Sequence, residues 1–185
     1  MDGEIDATAA AVERAAAEPI VAGPGTGWVF ATLTEGLARL RGEARPVPEP
    51  VASGDYDRWF RDALPRVPLF ARDQVVADVS EAAVGRPDNP PVHVLQTLLA
   101  MLEPRAGRWI VSTLSLPYGR AELATGMLRR ALGDVDRAVE DLSAAHAAHV
   151  AAGTAGLAAR SGSALAAALR DRRRAGDLDL IRALD

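Results

Sequence analysis

Four glycines recur at nearly even intervals along this 185-residue chain, and each follows a segment with the length and pattern of a helix. They are Gly42, Gly85, Gly133 and Gly176, spaced by 43, 48 and 43 residues. Glycine often ends helices because it adopts the left-handed backbone conformation without a steric cost. A unit of about 43 residues lies in the range of helical solenoids. The spacing therefore predicts stacked helical hairpins, although four helix-ending glycines can also fall evenly by chance.

The composition narrows the fold class and removes several kinds of chemistry. Hydrophobic residues make up 49% of the chain and aromatic residues only 4%, which suits packed aliphatic helices better than a β-sandwich. The chain has no cysteine, and all 21 of its basic residues are arginine. Thiol nucleophiles, disulfides, Schiff-base lysines and the P-loop lysine are therefore excluded.

Helix breakers and a 3.6-residue periodicity divide the sequence into about nine helices. A Pro-rich linker, 46–55, separates the second from the third. Residues 107–117 have strand-like character, which indicates an extended segment or a distorted helix start. The predicted helices are 4–18, 28–41, 56–64, 70–84, 91–103, 118–132, 135–152, 155–174 and 178–184. We therefore predict an all-α fold.

Residues 120–175 resemble a tetratricopeptide unit followed by the first helix of the next unit. The matching positions are a glycine, a turn, a small residue, a large apolar residue and an alanine: Gly126, Gly133-Asp134, Ala138, Leu142 and Ala145. Arg129 departs from the pattern, since tyrosine or leucine is usual there, and the proline that ordinarily ends the second helix is missing.

This resemblance implies a tetratricopeptide-like helical-repeat solenoid of about nine helices, forming a single domain over 1–185. Residues 1–64 would supply atypical N-terminal helices and 65–185 the tetratricopeptide-like hairpins. The wider stretch 75–175 is similar to the C-terminal helical region of large actinobacterial ATP-binding transcriptional regulators of the LuxR type. In that family the region senses or docks, while separate domains hydrolyse ATP and bind DNA. The resemblance thus implies a non-enzymatic interaction module, an adaptor or sensor-type region, which docks a protein or peptide partner in a concave groove.

Scarce aromatic residues that lie beside arginines mark the candidate partner-binding residues. Segment 107–120 lengthens the second glycine spacing and interrupts helical periodicity, and functional residues gather at such interruptions. Trp, Tyr and Arg also concentrate binding energy at interfaces. The candidates are Arg108, Trp109, Tyr118, Arg120 and, outside the segment, Trp59. The alternative is core filling, with Trp109 and Ile110 acting as a structural plug between two repeats.

His146 and His149 lie three residues apart and therefore share one face of a helix. A metal site there would need a third ligand, such as His93, Glu140 or Asp141. Both histidines fall on or beside the apolar face of their helix, which favours a structural role. We predict neither a metal nor a cofactor.

Net charge and hydropathy limit which classes of partner and which cellular compartment we expect. A net charge of −4 and a pI near 5.4 argue against nucleic acid as the main partner. The acidic N-terminus lacks the basic region of a secretory signal, and no apolar window reaches a membrane-spanning length, so we expect a cytoplasmic protein.

Two alternatives to an interaction module stay open. One is a protein that binds a small apolar effector between helices. The other is an enzyme of secondary metabolism on a helical scaffold, with His93, His146 or His149 as the base. A homodimer is compatible with each of these functions.

Overall fold

The computed structural model describes residues 48–86, 90–111 and 117–184, together with Ala7, Ala10, Ala11 and Arg14, which are helical. The predicted helix 28–41, Gly42 and all but those four residues of the predicted helix 4–18 lie outside the described residues.

The described part of the chain is mostly helical, which confirms the predicted all-α class. Its helices are α1 (Glu49–Ser53), α2 (Tyr56–Arg58), α3 (Leu69–Val84), α4 (Val92–Leu102), α5 (Ala121–Ala131), α6 (Val135–Ala151), α7 (Ala155–Arg172) and α8 (Asp177–Arg182). One turn of π-helix (Trp59–Ala63) and a 3₁₀ turn (Leu64–Arg66) continue α2, and a second 3₁₀ turn (Glu103–Arg105) follows α4. No described helix is both long enough and apolar enough to cross a bilayer.

A short antiparallel ribbon interrupts the helices between α4 and α5. It is formed by β1 (Trp109–Val111) and β2 (Pro117–Arg120), with Trp109 opposite Arg120 and Ile110 opposite Gly119. The prediction of a helix starting at 118 was therefore wrong, since α5 begins only at Ala121. The predicted linker 46–55 also contains the helix α1, because proline fits the first turn of a helix.

The turn after α5 shows how the sequence sets the hairpin geometry. Gly133 has a φ of 85°, and its N–H donates to the Arg130 carbonyl while the Asp134 N–H donates to the Arg129 carbonyl. This pair of bonds is a Schellman motif, which ends the helix and satisfies its last carbonyls. The turn after α6 repeats the motif at Gly153, which the glycine spacing did not identify.

Gly85 and Gly176, the other two evenly spaced glycines within the described residues, behave differently from Gly133. Gly85 follows α3 with a φ of −79°, so the left-handed ending expected there was wrong. Helix α7 ends at Arg172, and Arg173 adopts the left-handed conformation with a φ of 55°. Gly176, with a φ of 89°, lies at the entry to α8 instead.

Helices α5, α6 and α7 pack as successive antiparallel hairpins around an apolar cluster that includes Leu123, Leu142 and Leu169. Gly126 allows α5 and α6 to approach closely, since a Cβ added there would lie 2.6 Å from the Leu142 Cγ. A second cluster joins helices α1 to α4, the ribbon and the opposite side of α5. Helix α5 therefore lies between the two parts of the core.

Candidate interaction site

A groove of about 300 Å³ is lined by three helices that alternate along the chain, α3, α5 and α7. Its lining residues are Val84 of α3, Met127, Arg130 and Ala131 of α5, and Ala164 and Asp171 of α7. Four of these six residues are apolar, and the alanines of α5 and α7 leave room for a ligand beside the two charged side chains. We refer to this feature as the inner groove.

One ion pair spans the inner groove. The Arg130 Nε donates to an Asp171 carboxylate oxygen at 2.6 Å. Both side chains are more than two-fifths exposed, so the pair contributes little to stability. A ligand can therefore separate the two charges at low cost and form hydrogen bonds with either of them.

A buried ion pair next to the inner groove fixes the separation of its outer helices. Glu81 of α3, whose side chain is 1% exposed, pairs with Arg160 of α7. One helical turn earlier on α3, Asp78 accepts a hydrogen bond from the Tyr118 hydroxyl of the ribbon. A carboxylate as buried as Glu81 is costly unless it is paired, so its pairing and the Asp78 hydrogen bond constrain how α3 lies against the rest of the molecule.

The ribbon is held to the hairpin α6–α7 by His149, which is fully buried. The backbone N–H of Arg120 donates to His149 Nε2 at 3.0 Å. A backbone N–H can only donate, so Nε2 carries no proton and the proton lies on Nδ1. The Nδ1 atom is 3.1 Å from the Leu157 carbonyl oxygen and 3.0 Å from the Ser161 Oγ. His149 is therefore a neutral imidazole that connects β2 to the start of α7.

His146 has a similar structural environment one turn earlier. Its Nδ1 lies 3.1 Å from the Ala158 carbonyl oxygen and 3.3 Å from the Ser161 Oγ. Its ring packs where Gly162 leaves space on α7. Both histidines thus connect α6 to α7, and no group of residues in the described ranges has the makeup of a metal site.

The predicted partner-binding residues occupy very different environments. Trp59 and Tyr118 are only 6% and 1% exposed and lie in the core, which supports the core-filling alternative for these two. Trp109 is half-buried, with its ring centroid 5.3 Å from that of His149. Arg120 is half-buried and Arg108 is exposed. The ribbon thus brings Trp109, Tyr118 and Arg120 together, while Trp59 packs against Phe60 elsewhere in the core.

The Arg120 guanidinium is engaged within the molecule. It donates to both carboxylate oxygens of Glu122, at 3.1 and 2.9 Å, and the Gly107 N–H donates to the same carboxylate at 2.6 Å. Burial opposes the charge of Glu122, but these donors outweigh it and hold the pKa of Glu122 below its usual value. A partner at the ribbon would therefore meet Arg108 and the exposed part of Trp109 first.

Arg129, which departs from the tetratricopeptide pattern, has a clear structural role. It donates to Asp141 of α6 at 2.6 Å and to Glu103 at 3.1 Å. The Thr125 hydroxyl donates to the same Asp141 oxygen at 2.6 Å. A polar network thus occupies the place where the repeat ordinarily has an apolar side chain. Despite these donors, burial raises the pKa of Asp141.

The inner groove contains none of the five predicted residues among its described lining residues. Sequence reasoning missed Arg130 and Asp171 because charged residues on helices are common and carry no distinguishing pattern. The glycine spacing indicates only where the two residues lie along their helices. Arg130 lies three residues before Gly133 and Asp171 five residues before Gly176, which places them near the ends of successive alternate helices.

No protein-family model, curated protein or solved structure matches this chain.

Proposed function

We propose that this chain is a non-enzymatic interaction module that binds an apolar peptide segment in the inner groove. The observation that carries the proposal is the lining itself, in which α3, α5 and α7 all present apolar or small side chains to one cleft. A volume of about 300 Å³ is at the lower end for ligand pockets. It suits a few anchoring side chains of a peptide better than a large cofactor.

The arrangement of alternate helices also supports the tetratricopeptide-like solenoid. In such a solenoid the first helix of each hairpin faces one side, and α3, α5 and α7 would be these first helices. The proposed relationship to the docking region of LuxR-type regulators, and a place in the cytoplasm, rest on the sequence alone.

The polar pair at the groove sets the chemistry of the bound segment. Because Arg130 and Asp171 are exposed and bonded to each other, either one can reach a peptide backbone or a side chain of opposite charge. The bound segment would therefore place apolar side chains near Met127 and Ala164 and polar groups beside this ion pair.

A peptide selection tests the proposal. Peptides are selected from a random phage-displayed library against the 185-residue chain, and their binding is measured by fluorescence anisotropy. We expect Arg130→Glu and Met127→Gln each to weaken binding by about tenfold or more, equivalent to roughly 1.4 kcal/mol. Arg137→Glu and Met101→Gln are matched controls outside the groove and should bind like the parent chain.

Two results would count against the inner groove. Selection that yields no binding peptide argues against a peptide-docking function. Peptides that tolerate the groove variants but are lost with Arg108→Ala or Trp109→Ala would move the site to the ribbon, where sequence reasoning placed it.

A further inference from the structure

A second cleft, of about 490 Å³, lies on a different face of α7 from the inner groove. The α7 residues that it exposes are Ala159, Ser163 and Arg170, whose spacings of four and seven place them on one helix face. The rest of its lining consists of His146 of α6, Ala158, Gly162 and Ala166 of α7, and Leu184 after α8. We refer to this feature as the outer cleft.

The surface of the outer cleft that a ligand can reach is half polar. Gly162 and Ala166 are buried, and the His146 ring packs on Gly162, so these two small residues form only the base. The six lining residues that are exposed or half-buried are Ala158, Ala159, Ser163, Arg170, His146 and Leu184. Three of the six have polar side chains, so a polar ligand suits the outer cleft better than an apolar one.

The charge of the outer cleft differs from that of the inner groove. In the inner groove Arg130 is bonded to Asp171, which lines the same groove. In the outer cleft Arg170 is the single charged residue of the described lining, and it forms no ion pair with any described residue. A planar guanidinium without an acidic partner suits a carboxylate, and a single guanidinium matches a single negative charge.

His146 supplies a hydrogen-bond acceptor to the same cleft. Its Nδ1 lies 3.1 Å from the Ala158 carbonyl oxygen, which can only accept, so the proton of the neutral ring is on Nδ1 and Nε2 is an acceptor. A Cβ added at Gly162 would lie 3.2 Å from Cε1 and 3.4 Å from Nδ1, so this edge of the ring faces α7. Nε2 is the next ring atom after Cε1 and bonds to no described residue. It can therefore accept a hydrogen bond from a ligand.

We propose that the outer cleft binds a small organic monocarboxylate that carries a hydroxyl group at its other end. The carboxylate would pair with the Arg170 guanidinium and accept a hydrogen bond from the Ser163 hydroxyl, while the hydroxyl of the ligand would donate to His146 Nε2. An apolar body between these two groups would contact Ala159 and Leu184. This proposal is independent of peptide binding in the inner groove.

The helix geometry sets the length of the ligand. Arg170 lies eight residues beyond Gly162, where the His146 ring packs, which is a rise of roughly 12 Å along α7. Helical side chains tilt toward the N-terminus of their helix, so the long side chain of Arg170 can reach back toward Ser163 and shorten this span. The ligand therefore needs a body about as long as one aromatic ring between its carboxylate and its hydroxyl.

A titration with three related compounds tests the proposal. The probe is para-hydroxyphenylacetate, which has a carboxylate and a hydroxyl at opposite ends of an apolar ring. Added to the 185-residue chain up to roughly 10 mM, it should saturate the changes in amide chemical shift along α6 and α7. The compound para-hydroxyphenylethanol lacks the carboxylate and should bind about tenfold more weakly or worse. Phenylacetate lacks the hydroxyl and should bind about fivefold more weakly.

Variants of exposed residues locate the site without disturbing the core. Arg170→Gln should weaken binding of para-hydroxyphenylacetate about tenfold and leave para-hydroxyphenylethanol unchanged. Arg173→Gln is the matched control, since Arg173 is also exposed at the end of α7 but does not line the cleft. Ala159→Phe should abolish binding by filling the cleft, with an unchanged circular dichroism spectrum because position 159 is exposed. Arg130→Glu, in the inner groove, should bind the probe like the parent chain.

Three results would overturn the proposal or one of its contacts. No saturable binding of para-hydroxyphenylacetate, or binding that persists in Ala159→Phe, would overturn the outer cleft as the site. Equal affinity for para-hydroxyphenylethanol would overturn the contact between the carboxylate and Arg170. Equal affinity for phenylacetate would overturn the contact with His146, and this comparison needs no substitution of a residue that packs between helices.

Discussion

The hairpins α5–α6 and α7–α8 differ most in their second helices. The 17-residue α6 covers α5, and its Leu142 is fully buried where Gly126 lets the two helices meet. The six-residue α8 covers less of α7, and Leu178 and Leu180 are exposed. The comparison teaches that α5 is enclosed because α6 packs on one of its sides and the cluster of α1 to α4 on the other, whereas α7 packs mainly against α6 and the short α8.

The largest difference between the hairpins should appear when an apolar side chain of the second helix is truncated to alanine. Leu142→Ala removes a fully buried side chain and should cost about 3 kcal/mol of unfolding free energy. Ile181→Ala removes a partly buried side chain at the edge of the same cluster and should cost about 1 kcal/mol or less. Urea denaturation of both variants measures this; equal losses would show that α8 is packed as tightly as α6.

A second test compares two glycines inside helices. Alanine at Gly126 places its Cβ 2.6 Å from the Leu142 Cγ, and we expect a loss of about 2 kcal/mol because neither side can move freely. Alanine at Gly162 meets the His146 ring at 3.2 Å, and the higher helix propensity of alanine offsets much of that strain. Thermal melts should therefore show a clear loss for Gly126→Ala and little change for Gly162→Ala. The reverse order would mean that α6 is packed more tightly on α7 than on α5.

The turns of the hairpins allow a test that involves no packing. A Cβ added at Gly133 or at Gly176 meets no atom within 4 Å, so the positive φ is the main penalty for valine there. Gly133→Val should cost about 1 kcal/mol or more, because a long hairpin depends on that turn. Gly176→Val should cost less, since the short α8 can fray locally without unfolding the rest. Hydrogen exchange at α8 amides would distinguish fraying from global loss.

The smallest effect is a difference in pH dependence between the hairpins. A hydrogen bond from Arg172 holds the pKa of Asp177 below its usual value, so its contribution to stability is present above about pH 4 and is lost as the pH falls further. Burial raises the pKa of Asp141, so its charge costs stability near neutral pH and protonation relieves that cost as the pH falls. The destabilisation by Asp177→Asn should therefore shrink in acid, while that by Asp141→Asn should grow. Denaturation at pH 7 and at lower pH checks both signs.

Helices α3 to α6 were predictable because strong local sequence signals mark where they begin or end. Pro68 and Pro91 directly precede α3 and α4, and Gly133 lies in the turn that ends α5. The ribbon was harder to predict, since a two-stranded pairing of three or four residues has no periodicity to detect. Helix α1 was missed because its prolines suit both a linker and a first helical turn.

The inner groove could not be derived from the sequence. Its ion pair joins Arg130 to Asp171, 41 residues apart, and the neighbouring pair joins Glu81 to Arg160. Such pairings depend on how far one helix is rotated about its neighbours, and local propensity does not determine that rotation. Because aromatic residues are scarce, Trp59 and Tyr118 were predicted to bind a partner. Both have large side chains, and the structure buries them in the core.

The bond from the Arg120 amide to the buried ring of His149 has a consequence for slow motions of the molecule. Backbone amides in a short ribbon ordinarily exchange their hydrogens with solvent whenever the ribbon frays locally. The Arg120 amide can exchange only when the imidazole withdraws from it, which requires the ribbon to separate from helices α6 and α7. Its exchange rate therefore reports, at a single backbone position, how often these parts of the molecule come apart.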